Sequence, residues 1–134
     1  MEATPIKVLV VDDDADGATA TSALLECYGF SVETALSGEE GIESAMSFCP
    51  DVVILDLAMP EIDGIRVANI LLQHDEAVHA KLIAYTGYSC GSAYQAAVSA
   101  GFHKIVCKPA PVEILIGAIL EVTRSKTTHN SSRY

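Results

Sequence analysis

A chain of 134 residues suits one domain and is long enough to bury a full core. Half of the residues are hydrophobic and only 19% are charged, which excludes an intrinsically disordered chain. A formal net charge of -10 disfavours direct binding to nucleic acid or to an anionic membrane, since both reward basic patches.

In chain order, the first apolar run is Val8-Leu9-Val10-Val11, preceded by Pro5 and Lys7 and followed at once by acids. It is too short for a signal peptide and reads as a strand. Ala15 to Tyr28 is rich in alanine and leucine and ends at Gly29, a pattern that predicts a helix with glycine just past its end. Ser31-Val32-Glu33-Thr34 alternates as an edge strand does. Ser37-Gly38-Glu39-Glu40 then places a small cap and early acids ahead of Ile42 and Ala45-Met46, as a helix N-terminus prefers. Val52-Val53-Ile54-Leu55 is a second strong run, and Ile65 to Leu72 a third helix. Leu82-Ile83-Ala84-Tyr85 precedes a fourth helix, Ser89 to Ala100, which again ends in glycine (Gly101). Ile105-Val106-Cys107 leads to Pro111, placed where a first helical turn accepts proline, and to a fifth helix over Val112 to Val122.

Strand and helix thus alternate five times, which implies right-handed crossovers and a doubly wound parallel sheet. Continuous apolar runs suit parallel strands covered on both faces. From Arg124 the chain turns polar and aperiodic, so the expected division is a folded domain over 1–123 and a flexible tail over 124–134. No stretch approaches the length of a membrane span. Cys27, Cys49, Cys90 and Cys107 show no metal-ligand spacing, and three of them lie in or beside apolar stretches. Buried free thiols and a reduced cytoplasmic compartment are the expectation.

Open parallel α/β sheets bind ligands outside the carboxyl ends of their strands. The first strong run ends at Asp12-Asp13-Asp14, the third strand at Asp56, the fourth at Thr86 and the fifth at Lys108. Any one of these has an ordinary explanation, because an Asp at a strand end often caps the next helix and a Thr there is a common turn residue. Together they place carboxylates, a hydroxyl and an ammonium on one edge. Clustered carboxylates repel unless a cation joins them or their protons redistribute. Oxygen donors without Cys or His suit a hard cation, and Mg²⁺ fits best because it keeps several waters and takes one or two carboxylates plus phosphate oxygens. A lysine and a hydroxyl opposite the metal complete a cage for a tetrahedral anion.

These residues in this order resemble the receiver domains of two-component response regulators, over roughly Ile6 to Val122. The most specific part is VVILDLAMPEIDG (Val52 to Gly64), in which Asp56, Met59-Pro60 and Asp63-Gly64 fall at the family's spacing. The VVDD stretch (Val10 to Asp13), Thr86 in YTG and the Lys108-Pro109 step add to it. The resemblance implies a flavodoxin-like (βα)5 fold, with a five-stranded parallel sheet in the order 2-1-3-4-5. It implies Asp56 as phosphoacceptor. Asp13 and Asp56 would be direct Mg²⁺ ligands, with Asp12 acting through water and the Ala58 carbonyl adding a further ligand. Lys108 would pair with the phosphorylated carboxylate, and Thr86 would hydrogen-bond a phosphoryl oxygen. A cis Lys108-Pro109 bond is also implied, as is room for the phosphoryl group at Gly87. The implied phosphodonor and partner is a sensor histidine kinase or a histidine phosphotransfer protein.

Two departures bear on signalling. The family's switch aromatic, three residues before the lysine, is Ile105 here, which leaves Tyr85, Tyr88 or Tyr94, or the loop and fourth helix alone, to carry the movement. Ser89 to Phe102 contains no charged residue, so the salt-bridged dimer of many DNA-binding regulators is not expected. Two other readings stay open. A haloacid-dehalogenase-like phosphohydrolase would use Asp12 as nucleophile and Asp14 as general acid, but it leaves Asp56 and MPEIDG without a role. A pseudo-receiver would be a folded interaction module that is never phosphorylated, against which the full set of Asp12, Asp13, Asp56, Thr86 and Lys108 argues.

Overall fold

The computed structural model describes residues 4–59, 62–74, 79–87 and 90–128, with side chains at all of these except 90–94 and 125–128. Its elements are β1 (Lys7–Val11), α1 (Ala15–Cys27), β2 (Ser31–Ala35), α2 (Gly38–Phe48), β3 (Val52–Leu55), α3 (Gly64–Gln73), β4 (Lys81–Thr86), α4 (Cys90–Ala100), β5 (Lys104–Cys107) and α5 (Val112–Thr128). The five strands form one sheet in the order β2-β1-β3-β4-β5, and every pairing is parallel. This is the doubly wound fold expected from the alternation of strand and helix.

The two-residue period of the strands divides the core. Leu9, Val11, Val53 and Leu55 point to one face, where Ala45, Val67, Ala68, Leu71 and Ala97 of α2, α3 and α4 cover them. Val8, Val10, Val52 and Ile54 point to the other, against Ala18 and Leu25 of α1 and Leu115, Ala118 and Ile119 of α5. Both faces of β1 and β3 are therefore dry, which is why their sequences are unbroken apolar runs rather than alternating ones. Each fully buried Leu, Ile or Val contributes on the order of 1.5–3 kcal/mol relative to exposure.

Local signals set the helix ends. α1 closes on Gly29 (φ 96°), with the Phe30 N–H bonded to the Leu25 carbonyl at 3.2 Å and the Gly29 N–H to that of Glu26 at 3.0 Å. α4 closes the same way on Gly101 (φ 100°), through Phe102 to Ala97 and Gly101 to Val98. Both are left-handed closures that glycine adopts without steric cost. At the start of α2, Ser37 Oγ accepts the Glu40 N–H at 3.1 Å while Glu40 Oε1 accepts the Leu36 N–H at 2.8 Å, a near relative of the capping box. Ser37→Ala is expected to lower stability by about 1 kcal/mol, read as a fall in the urea midpoint at unchanged slope.

Two expectations are corrected. α5 runs to Thr128 instead of ending at Val122. No Gly or Pro occurs between Val122 and Thr128, and Arg124 towards its carboxyl end suits the helix dipole. Residues 129–134 lie outside the described residues. Among the described side chains the cysteines are not buried free thiols: Cys27 and Cys49 are free but exposed, and Cys107 is exposed and disulfide-bonded, while the side chain of Cys90 lies outside the described residues. Neighbouring apolar residues misled the reading, because alternation along β5 buries Val106 and turns Cys107 outward.

His103 sits between α4 and β5 and extends the β4 ladder with its side chain. Its backbone N–H donates to the Leu82 carbonyl at 2.8 Å, and its Nδ1 accepts the Leu82 N–H at 3.0 Å. Desolvation of the ring and the nearby Lys81 ammonium hold its pKa below the ordinary histidine value. The unfolded chain therefore binds the proton first. Stability attributable to His103 is constant above about pH 7.5 and falls as pH drops through about 6.5 towards the folded-state value. The difference in urea stability between wild type and His103→Asn should follow that course between about pH 8 and about pH 5; a flat difference would refute it.

Candidate functional site

Register brings the strand ends together. Val11 pairs with Leu55, so the next residues, Asp12 and Asp56, stand abreast at the point where the strand order reverses between β1 and β3. The Asp56 N–H donates to the Val11 carbonyl at 3.0 Å, and the Asp12 N–H to that of Ala35 at 3.0 Å. On the other side, Thr86 pairs with Cys107, and the Lys108 N–H donates to the Thr86 carbonyl at 2.9 Å. The backbone alone therefore delivers Asp12, Asp56, Thr86 and Lys108 to one edge.

Ligand oxygens of Asp12, Asp13 and Asp56 all lie within 4.8 Å of one another. Asp12 is 6% exposed, Asp13 exposed and Asp56 half-buried. Lys108 Nζ sits 2.7 Å from Asp12 Oδ2 and 3.7 Å from Asp56 Oδ2, over the Tyr85 ring at 5.2 Å from its centroid. Asp12 holds Lys108 more tightly than the unphosphorylated Asp56 does, which leaves Asp56 the less neutralised of the two. Thr86 is fully buried, and its hydroxyl favours the charged form of the Asp56 carboxylate. The Ala58 N–H donates to Asp56 Oδ1 at 3.1 Å.

These contacts set the charge states. Burial is the largest influence on Asp56 and raises its pKa, aided by the Asp12 charge and opposed by the Ala58 N–H, Lys108 and Thr86. Burial alone pulls the Lys108 ammonium down, yet the hydrogen bond and charge of Asp12, with Asp56 and Tyr85, leave it above the ordinary lysine value. A carboxylate with a raised pKa beside two others, an all-oxygen group among the described residues, fits a hard divalent cation such as Mg²⁺, whose charge would offset that repulsion.

The Asp63-Gly64 pair positions this edge. Asp63 Oδ1 caps α3 by accepting the Arg66 N–H at 2.9 Å. Gly64 packs directly on the chain at the site: an added Cβ would lie 2.5 Å from the Asp56 carbonyl oxygen and 2.9 Å from Leu57 Cα. Met59 is buried in the core, whereas Pro60 lies outside the described residues. At Gly87 a Cβ would meet Lys108 Cβ at 3.5 Å and its Cδ at 3.9 Å, ordinary contacts. The Lys108-Pro109 bond is cis, as expected.

Asp14 stands apart. Its N–H donates to Asp12 Oδ1 at 2.9 Å, and its side chain leans over the first turn of α1, against Gly17. It is not part of the group formed by Asp12, Asp13 and Asp56. Ile105 is partly buried and packs on the α2–α4 side of the core. Tyr85 packs on the opposite side and lies beneath Lys108, a placement the sequence reading did not assign. The signal was available in the strand period, which sets Tyr85 on the face opposite its neighbour Thr86. Tyr88 lies outside the described residues, as does the side chain of Tyr94.

Comparison with known proteins agrees with this geometry. The family model described as "Response regulator receiver domain" matches residues 8–120. The chain is 31% identical over 123 residues to "Response regulator MprA" of Mycolicibacterium vanbaalenii, covering 92% of this chain and 52% of that protein. It is 41% identical over 75 residues to "Transcriptional regulatory protein PrrA" of Mycobacterium bovis, covering 56% of this chain and 32% of that one. The chain thus spans about a third to a half of the length of these relatives. Among solved structures, a response regulator receiver domain protein of Clostridium thermocellum superposes with a TM-score of 0.84 at 29% identity, covering 91% of this chain and 97% of that one.

Proposed function

The chain belongs to the response-regulator receiver domain family of two-component systems, and on that premise we propose that Asp56 accepts a phosphoryl group from a phosphohistidine. Receiver domains are signalling domains rather than conventional enzymes. In this reading the chain catalyses only its own phosphorylation and dephosphorylation.

The observation that carries the proposal is the setting of Asp56: two carboxylates on one side, an ammonium and a hydroxyl on the other, and one carboxylate oxygen not taken by the Ala58 N–H. An Asp56 oxygen forms the bond to phosphorus as the phosphorus–nitrogen bond of the donor breaks, and the imidazole leaves with a proton. Asp13 and Asp56 would hold Mg²⁺ directly, Asp12 through water, with the Ala58 carbonyl as a further ligand. The ion's chemistry when bound is neutralisation of the charge on the transferring group. Lys108 stands where it can exchange part of its contact with Asp12 for a phosphoryl oxygen, and Thr86 can turn its hydroxyl from the carboxylate to another. The added charge then biases the Thr86 loop inward, a population shift that a partner reads. Hydrolysis of the mixed anhydride resets it.

The proposed donor and partner is a sensor histidine kinase or histidine phosphotransfer protein, met in the cytoplasm. Direct contact with nucleic acid or membrane is not proposed. Among the described residues no helix is long and apolar enough to cross a membrane. On the α4-β5-α5 side, Lys104 and Glu121 pair within the chain at 2.8 Å, which engages charges that a salt-bridged dimer would need.

Intact mass after incubation with acetyl phosphate, with and without Mg²⁺, tests the proposal. A Mg²⁺-dependent gain of one phosphoryl group is expected. No gain in either condition would favour the unphosphorylated interaction module. An adduct that persists in Asp56→Asn and is lost in Asp12→Asn would restore the phosphohydrolase.

A further inference from the structure

Glu113, Gly117, Leu120 and Arg124 recur at helical spacing along α5 and therefore share one face of it. That face lies opposite Leu115, Ala118, Ile119 and Val122, which are buried, and all four of its residues are exposed. A glycine inside a helix lowers its stability relative to alanine. A left-handed turn requires glycine at Gly29 and Gly101, and the Asp56 carbonyl requires it at Gly64. Neither reason holds at Gly117, where an added Cβ would meet nothing within 4 Å. What remains is close approach of something from outside the chain.

The surroundings of Gly117 are apolar. Leu120 is 37% exposed, and Leu24 and Tyr28, one turn apart at the carboxyl end of α1, are 47% and 54% exposed. Tyr28, Ile116 and Leu120 line a shallow groove of about 360 Å³ with Ile6, Gly29 and Phe30. Exposed apolar side chains scattered singly are ordinary, but these adjoin one another.

We propose that this face of α5 is a contact between two copies of the chain, packed antiparallel about a two-fold axis level with the Ala118–Ile119 peptide. In such a contact, whenever one residue meets a second, the second meets the first. The stripe meets that condition twice about a single centre: Gly117 and Leu120 are equidistant from it, and so are Glu113 and Arg124. Antiparallel packing then seats Leu120 of each copy in the open space over Gly117 of the other. It also brings Glu113 of each copy to Arg124 of the other, at both ends of the apolar centre. Arg124 is engaged within its own chain, and a guanidinium with five donors can bridge to a second group. The Lys104–Glu121 pair lies on the β5 side of α5 and is not disturbed. A formal charge of -10 on each copy opposes association at long range, and one helix face makes a small interface, so the dimer is weak.

The contact goes beyond the phosphoacceptor reading and does not rest on it. Sedimentation equilibrium of the full chain from about 1 µM to about 1 mM covers weak association, and a monomer–dimer equilibrium is expected. Glu113→Arg alone and Arg124→Glu alone each set like charges opposite one another at both ends, and each should weaken the dimer by about tenfold or more. Mixing these two variants, or combining both changes in one chain, makes the charges opposite again and should restore the dimer. Gly117→Gln, which improves the helix but fills the seat of Leu120, should abolish it while far-UV circular dichroism stays native. A wild type that is monomeric throughout would overturn the proposal and leave the face to a different protein. Single charge variants that dimerise as tightly as wild type, or a mixture no tighter than its separate components, would overturn it as well.

Discussion

Asp56→Asn should take up no phosphoryl group from acetyl phosphate under conditions in which the wild type gains one. Asparagine keeps the shape and an oxygen to accept the Ala58 N–H, which Asp56 Oδ1 accepts at 3.1 Å, but it has no anionic oxygen to attack phosphorus. The fold should be unaffected. Lys108 retains its 2.7 Å contact with Asp12, so no ammonium is stranded, and the removed charge is one that burial already disfavours. Far-UV circular dichroism and a urea midpoint close to wild type would confirm a clean variant. A phosphoryl adduct of the same stoichiometry on that variant would place the acceptor elsewhere. The lost adduct should also be one that hydroxylamine cleaves in the wild type, as an acyl phosphate is.

The second large effect concerns backbone rather than charge. Gly64→Ala introduces a methyl 2.5 Å from the Asp56 carbonyl oxygen and 2.9 Å from Leu57 Cα, and neither atom is the end of a flexible side chain. Overpacking of this kind costs about 1–3 kcal/mol, enough to lower Tm by several degrees. The relief must come from moving the chain that bears Asp56, so phosphoryl uptake should slow as well. Gly117→Ala is the internal control. That glycine lies in α5 with nothing within 4 Å of an added Cβ, and the change should stabilise the helix by up to about 1 kcal/mol. If Gly64→Ala is as stable as wild type while Gly117→Ala behaves as expected, the close approach at Asp56 is not tight.

The site residues were legible because each is covalently tied to a strand end. An apolar run long enough to cross the sheet must stop at its edge, so Asp12, Asp56, Thr86 and Lys108 were placed by counting from Val8, Val52, Leu82 and Ile105. What each residue touches was not legible. Lys108 and Asp12 are 96 positions apart, and their 2.7 Å contact depends on the register of β1, β3, β4 and β5 together. Asp14, adjacent to the cluster in sequence, is turned away by the first turn of α1, which no spacing rule states. The role of Asp63-Gly64 was visible only as a family pattern until the cap on Arg66 and the packing on Asp56 supplied the reasons.

Periodicity and punctuation along the chain determined the class of fold, the number of elements and the edge that carries the chemistry, since these follow from short-range geometry and from the need to bury both faces of a parallel sheet. Tertiary structure alone decided three further matters: that Lys108 leans on Asp12 more than on Asp56, that Tyr85 lies beneath it, and that Cys107 is disulfide-bonded rather than a buried thiol. All three are through-space pairings across separate strands and helices. Their partners are chosen by strand register and by which face of each element turns towards the core, and a linear sequence encodes neither as a local pattern.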